Sequence, residues 1–197
     1  MANSKTKTKT IKFVTPVGEF RWPKVSQPDT KGKYADGKFK TAMVYSDEDH
    51  KKIVAKLQEA AKELLGENAK DCTMPIREFK NKDTDEVQEV GINFKSKYRP
   101  AVFDAKKKKL PEGVTIGNGS EGRIVGVIFS WDKTTKVKGK NVTEYGISIR
   151  LGDVQITKLQ EGGSMGNGAD FDDDVEGYEY DGSGEDADAE RADQFDL

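Results

Sequence analysis

The chain has 197 residues, 34% hydrophobic and 35% charged, with a formal net charge of −2; that length holds one domain with appendages and excludes a large multi-domain machine. The small net charge conceals a segregation: residues 160–197 carry fourteen Asp and Glu against Arg191, a balance of −13, which leaves +11 on the residues before them. A lone Cys72 excludes an intrachain disulfide and suits a reducing compartment.

Residues 1–9 alternate Lys with Thr and Ser and read as a flexible basic arm. They lack the apolar stretch of a signal peptide, and no apolar run in the chain approaches the roughly 18 residues of a membrane span. The expectation is a cytoplasmic protein with no membrane partner. Ile11, Phe13, Thr15 and Val17 alternate with Lys12, Val14 and Pro16, the period of a half-buried strand that Pro16 places at an edge or a bend. The segment from Trp22 to Gly37, with Pro23, Pro28, Gly32 and Gly37, reads as turn-rich. Phe39, Thr41, Met43 and Tyr45 give a second strand, whose other face is Lys38, Lys40, Ala42 and Val44.

One helix follows. Ser46 is a good N-cap, and Asp47, Glu48 and Asp49 fill the first turn, where the helix dipole favours negative charge. Ile53, Leu57, Ala60, Ala61 and Leu64 form one apolar stripe, and Gly66 can end the helix. Strand patterns return over 74–80, 87–95, 99–104, 123–131, 142–151 and 154–159. Many short strands with a single helix predict a mostly β fold, a small closed or nearly closed barrel with one long α-helix inserted between strands. The domain is expected over 10–159. Residues 160–197, glycine-rich and then acidic, cannot bury enough apolar surface to offset chain entropy and are expected to be a disordered tail. Its end, Asp193-Gln194-Phe195-Asp196-Leu197, sets two large apolar side chains among carboxylates, a plug for a partner's apolar pocket with a basic rim.

Enzyme constellations are thin. Gly117-Asn118-Gly119-Ser120-Glu121-Gly122 fits the dinucleotide fingerprint literally, but a β-branched stretch follows where the phosphate-binding helix should begin, so it reads as a turn. His50 is the only histidine and cannot complete a zinc site. Asp83-Thr84-Asp85-Glu86 reads as a solvated loop, with a Mg²⁺-dependent nuclease as the enzymatic alternative. The expectation is a non-enzyme with no cofactor and no metal.

Nucleic-acid features are stronger, because the basic body interleaves aromatics with cations. Phe20-Arg21-Trp22-Pro23-Lys24, Lys33-Tyr34, Lys38-Phe39-Lys40, Phe94-Lys95-Ser96-Lys97-Tyr98-Arg99 and Trp131-Asp132-Lys133 all show it. Cations neutralise phosphates and ring faces stack on unpaired bases, the combination that holds single strands. Candidate stacking residues are Trp22, Tyr34, Tyr98 and Trp131; candidate phosphate contacts are Arg21, Lys24, Lys40, Lys95, Lys97, Arg99 and Lys133. Phe39, Phe94 and Phe129 have a competing reading as core. Lys106–Lys109 and Lys133–Lys140 are expected as loops. A tethered polyanion of −13 competes with nucleic acid for a +11 surface, so the tail is expected to be released, and its tip presented, when a strand is bound. An RNA-binding or RNA-chaperone protein would use the same basic and aromatic chemistry and remains an alternative.

These parts, in this order, resemble a known family. They are Phe20-Arg21-Trp22-Pro23-Lys24-Val25 with Pro28-Asp29, Lys38-Phe39-Lys40-Thr41, and Tyr98-Arg99-Pro100-Ala101-Val102-Phe103-Asp104. Gly119-Ser120-Glu121-Gly122-Arg123-Ile124-Val125 and the run Gly146 to Ile156 complete the set. The chain resembles the single-stranded DNA-binding proteins of tailed bacteriophages that serve the phage replisome, an OB-fold family with an acidic C-terminal tail. The resemblance implies coating of single-stranded DNA without sequence preference in replication, recombination and repair, in the cytoplasm of an infected host cell. It implies tail contacts through Asp193, Phe195, Asp196 and Leu197 with replication proteins, namely polymerase and helicase-primase, and leaves a homodimer open. Tails of the family commonly finish on the aromatic itself, whereas Asp196 and Leu197 follow Phe195 here.

Overall fold

The computed structural model describes residues 9–33, 35–81, 83–112 and 114–160. The arm up to residue 8, Tyr34, and the tail from residue 161 with Asp193, Phe195, Asp196 and Leu197 lie outside the described residues. Among these residues eight strands and one α-helix, which a short 3-10 turn (Gly66–Ala69) extends, follow in chain order: β1 (Thr10–Val14), β2 (Gly18–Lys24), β3 (Phe39–Val44), α1 (Asp47–Leu65), β4 (Ile76–Lys80), β5 (Val87–Ser96), β6 (Val102–Phe103), β7 (Glu121–Val137) and β8 (Lys140–Lys158).

Five of the strands close a ring. β2 pairs antiparallel with β3, β3 with β5, β5 runs parallel to β8, β8 pairs antiparallel with β7, and β7 returns to β2. β1, β4 and β6 lie outside the ring, on β7, β5 and β8 respectively. The fold is mostly β and OB-like, as the alternating patterns imply.

Alternation decides which side chains enter the ring. Ile124 and Ile128 of β7, Ile147, Ile149 and Leu151 of β8, Ile92 and Phe94 of β5, and Met43 of β3 are buried together with Phe20. α1 adds Ile53, Leu57, Ala60 and Ala61 to the same cluster, the stripe read from its spacing. Ser46 caps it by accepting a hydrogen bond from the Asp49 N–H at 3.3 Å, and Gly66 follows its last residue at φ +60°. No helix of the described residues is long and apolar enough to cross a membrane.

Several boundaries differ from the sequence expectation. β2 occupies part of the segment read as turns. Pro23 is accommodated there because the strand bulges between Arg21 and Lys24, where no ladder N–H is needed. The stretch 99–104 contributes only the two residues of β6. β8 runs through the expected break at Gly152-Asp153, where its ladder with β7 shifts register, and the Gly152 α-carbon lies so close to the Val125 carbonyl that a Cβ has no room. Lys133–Lys140, expected as a loop, is the end of a hairpin, whose two strands satisfy each other's backbone groups without a buried apolar face to mark them. The glycine-rich 117–122 stretch is a turn that runs directly into β7.

Candidate nucleic-acid interface

If Ile92, Phe94, Ile149 and Ile128 point into the ring, their neighbours point out. The register makes those neighbours coincide. Lys24 of β2 stands opposite Lys40 of β3, Lys40 opposite Lys95 of β5, and Lys95 opposite Arg150 of β8. Four cations therefore cross four consecutive strands in one row. Like charges directly opposite one another destabilise a sheet, so this row calls for anions.

Two hollows flank it and share Lys95. The first, about 260 Å³, has a floor of Ala42 and Asn93 and walls of Trp22, Lys40 and Arg77. The second, about 550 Å³, is bounded by Lys38, Lys97, Tyr98, Phe129 and Arg150. The two hollows meet at Lys95, and the pair of them, with Trp22 in the first and Tyr98 and Phe129 in the second, is termed the trough.

Rings stand at both ends. Trp22 is 53% exposed, an unusual state for a tryptophan and one that leaves ring surface for a ligand. Its backbone sits at φ +47° in the β2 bulge, and its N–H donates to Asn118 Oδ1 at 2.9 Å. Phe79 meets it edge-on at 4.9 Å between centroids, and the Arg77 guanidinium lies 4.9 Å from the indole centroid. At the other end Tyr98 is 75% exposed, positioned by its N–H donating to Ser96 Oγ at 3.0 Å. Phe129 is half-buried with Arg150 5.5 Å from its centroid. Trp131, two residues on, lies over Gly146, which leaves no space for a Cβ, and its Nε1–H donates to Ser148 Oγ at 3.0 Å. Ser148 in turn lines the second hollow.

Acidic groups occupy the row as internal counter-ions. Asp36 lies 2.6 Å from Lys95 Nζ, 3.4 Å from Lys40 Nζ and 4.0 Å from Lys38 Nζ. The hydrogen bond from Lys95, more than burial opposes it, holds the Asp36 carboxyl below the usual carboxylate range. Lys40 is also bound to Asp29; burial alone would lower its pKa, but Asp29 and Asp36 raise it overall.

The sequence candidates therefore divide. Trp22, Lys40, Lys95, Lys97 and Tyr98 line the trough, and Lys24 ends its cation row. Trp131 borders it through Ser148. Arg21 reaches its edge but is tied down: Nε and Nη2 donate to Glu89 at 2.9 and 2.8 Å, and Nη1 meets Glu19. Those bonds, Glu89's first, raise its pKa against a smaller opposing effect of burial. Arg99 turns to Glu112, 2.8 Å away, beside a separate recess. Lys133 stands outside both hollows, opposite Glu144 on the β7–β8 hairpin. Phe94 is core. Lys38, Arg77, Phe129 and Arg150 were not among the candidates. Alternation about Ile128 and Ile149 was a signal for Phe129 and Arg150; nothing in the sequence places Arg77 beside Trp22.

Among the described residues no three His, Cys, Asp or Glu side chains converge as metal ligands. Asp83 and Asp85 are exposed between β4 and β5, with Asp85 3.7 Å from Lys80.

No protein-family model matches the chain, and no curated protein matches it in sequence. Solved structures do. The single-stranded DNA-binding protein of bacteriophage Enc34, in complex with single-stranded DNA, superposes with a TM-score of 0.54 at 17% identity, over 77% of this chain and 88% of that one. The gp2.5 protein of bacteriophage T7, also a single-stranded DNA-binding protein, gives 0.53 at 18% identity, over 87% and 98%. The chain has the fold of these phage single-stranded DNA-binding proteins. A C-terminal truncation of the Enc34 protein gives 0.51 at 17% identity, over 81% and 95%.

Proposed function

We propose that this protein binds single-stranded DNA without sequence preference, as a non-enzymatic coat for strands exposed in phage DNA replication and recombination. One observation carries the reading: the cation row Lys24, Lys40, Lys95 and Arg150 runs between exposed rings, Trp22 at one end and Tyr98 with Phe129 at the other, along the trough. Phosphates follow the cations while unpaired bases stack on the rings, at about 1–3 kcal/mol per base. A duplex would bury its base faces internally and leave the rings idle. A relative of the same fold has been solved with single-stranded DNA, which supports the reading.

The acidic tail has two parts in this function. Its −13 competes with DNA for the cation row, and Phe195 and Leu197, among Asp193 and Asp196, dock on replication proteins such as polymerase and helicase-primase. The site of action is the cytoplasm of the infected host.

Titration with an oligothymidine strand tests the proposal. Trp22 and Trp131 fluorescence is expected to fall as the strand binds, with affinity declining on added salt at about 0.7 per phosphate neutralised. Matched RNA and DNA strands separate it from the RNA-binding alternative. Absence of quenching together with absence of salt-dependent binding would sink it.

A further inference from the structure

The hairpin of β7 and β8 extends past the ring. From Lys133 opposite Glu144 to Val137 opposite Lys140 the two strands pair only with each other among the described residues, whereas the Tyr145 carbonyl still accepts from the Thr73 N–H at 2.9 Å. At the ordinary antiparallel rise this free ribbon is about 17 Å long. Lys138 at φ +49° and Gly139 at φ +80° form its two-residue turn, both left-handed, the geometry that matches strand twist and gives a well-defined tip.

The ribbon's chemistry differs from the trough's. Its acids, Asp132 and Glu144, sit at the base; Lys136, Lys138 and Lys140 crowd the tip, all exposed, and no ion pair joins them to a carboxylate among the described residues. Beyond Trp131 and Tyr145, at its base, the ribbon carries no ring on which an unpaired base could stack. It carries instead two exposed valines, Val137 at 50% and Val142 at 44%, diagonal neighbours on one face. Cations without rings suit phosphates whose bases are already paired. A two-stranded ribbon also fits the roughly 12 Å width of a duplex major groove, where small apolar side chains can contact the methyl groups of thymines.

We propose that the β7–β8 ribbon grips duplex DNA next to the single strand held in the trough, so that the protein favours single-strand/duplex junctions. β7 itself links the two sites, since it carries Phe129 in the trough and Lys136 on the ribbon. The inference rests on the proposed function only for its single-stranded half.

The test uses the full-length chain and two labelled substrates: an oligothymidine strand, and the same strand continued by a blunt hairpin duplex. Wild type is expected to bind the junction about tenfold more tightly. Replacing Lys136, Lys138 and Lys140 together by Gln should abolish that preference, lower the junction salt slope by about 2.7 for three phosphates at 0.9 each, and leave the plain strand's affinity unchanged. Val137→Ser with Val142→Ser should weaken the junction preference without altering the salt slope. No preference in wild type, or equal losses on both substrates in the lysine variant, overturns the ribbon's role while single-strand binding stands. Failure of wild type to bind the plain strand strikes the proposed function itself.

Discussion

Asp36 holds its carboxylate 2.6 Å from the ammonium of Lys95, at the point where the two hollows meet, with Lys38 and Lys40 also within 4.0 Å. An anion in the middle of a cation row stands where a phosphate of a bound strand would. A strand must displace it, so Asp36→Asn is expected to bind oligothymidine more tightly. Exposed pairs are worth about 0.2–1 kcal/mol, which makes the gain up to about fivefold at low salt and smaller as salt rises. The sign with pH follows from the lowered Asp36 pKa. The carboxylate, and its competition, is fully present above the ordinary carboxylate range and is lost only as pH falls below it. The ratio of variant to wild-type affinity should therefore be flat across neutral pH in a binding titration. Weaker binding by the variant would mean that Asp36 orients Lys95 for DNA.

Ring removal separates stacking from packing. Trp22→Ala and Tyr98→Ala remove mostly exposed rings, and each should weaken single-strand binding roughly 5- to 150-fold, the equivalent of about 1–3 kcal/mol per base, with little change in melting temperature. Phe129→Ala should cost binding and some stability, since that ring is half-buried. Phe94→Ala is the contrast: at 1% exposure it should lose about 3–5 kcal/mol of folding stability. Paired thermal melts and binding isotherms for the four variants decide the assignment.

What was legible in the sequence was local. The Ser46 cap and the stripe from Ile53 to Leu64 define α1 without any tertiary knowledge, and alternation in Tyr145 to Leu151 marks the inner face of β8. The trough depends on register instead. Lys24, Lys40, Lys95 and Arg150 are far apart in the chain and become one row only because β5 closes on β8 in parallel. Arg77 meets Trp22 because β4 lies beside β5 and the β2 bulge turns the indole outward. The ribbon was expected as a loop for another reason: it has no buried apolar face, only exposed Lys and Thr with Val137 and Val142 among them, which resembles a loop until the partner strand is known.

Arg21 shows how a cation at the edge of a binding face can belong to the fold. Its fork on Glu89 ties β2 to β5 across 68 residues of sequence. Arg21→Ala would leave Glu89 and Glu19 without their partner, and charge-assisted bonds of this kind are worth about 1.5–3 kcal/mol; partial exposure puts the expectation toward the lower end. Arg21→Lys cannot reproduce the two-pronged contact and should recover only part. The Arg21 bond lowers the Glu89 pKa, so the contribution is present at neutral pH and is lost as pH falls through the acid range. Denaturant melts of wild type and Arg21→Ala should converge in acid. A drop in DNA affinity with unchanged stability would instead make Arg21 a phosphate contact.

Where the tail is cut matters for testing its competition with DNA. The Gln160 carbonyl accepts from the Gly117 N–H at 2.6 Å and the Ser120 hydroxyl at 3.0 Å, while its own N–H donates to Ser120 Oγ at 2.9 Å. Ser120 is fully buried. Ending the chain at Leu159 strips that hydroxyl of both bonds, a loss of about 1–3 kcal/mol where a buried polar group goes unsatisfied, whereas ending it at Gln160 retains them. Both truncations remove the −13 of the tail, so both should bind single strands more tightly than the full chain at low salt, with the advantage shrinking as salt rises. Only the shorter one should melt at a lower temperature. Equal affinity of the Gln160-terminated protein and the full chain across the salt series would remove competition from the tail's function and leave it a docking segment alone.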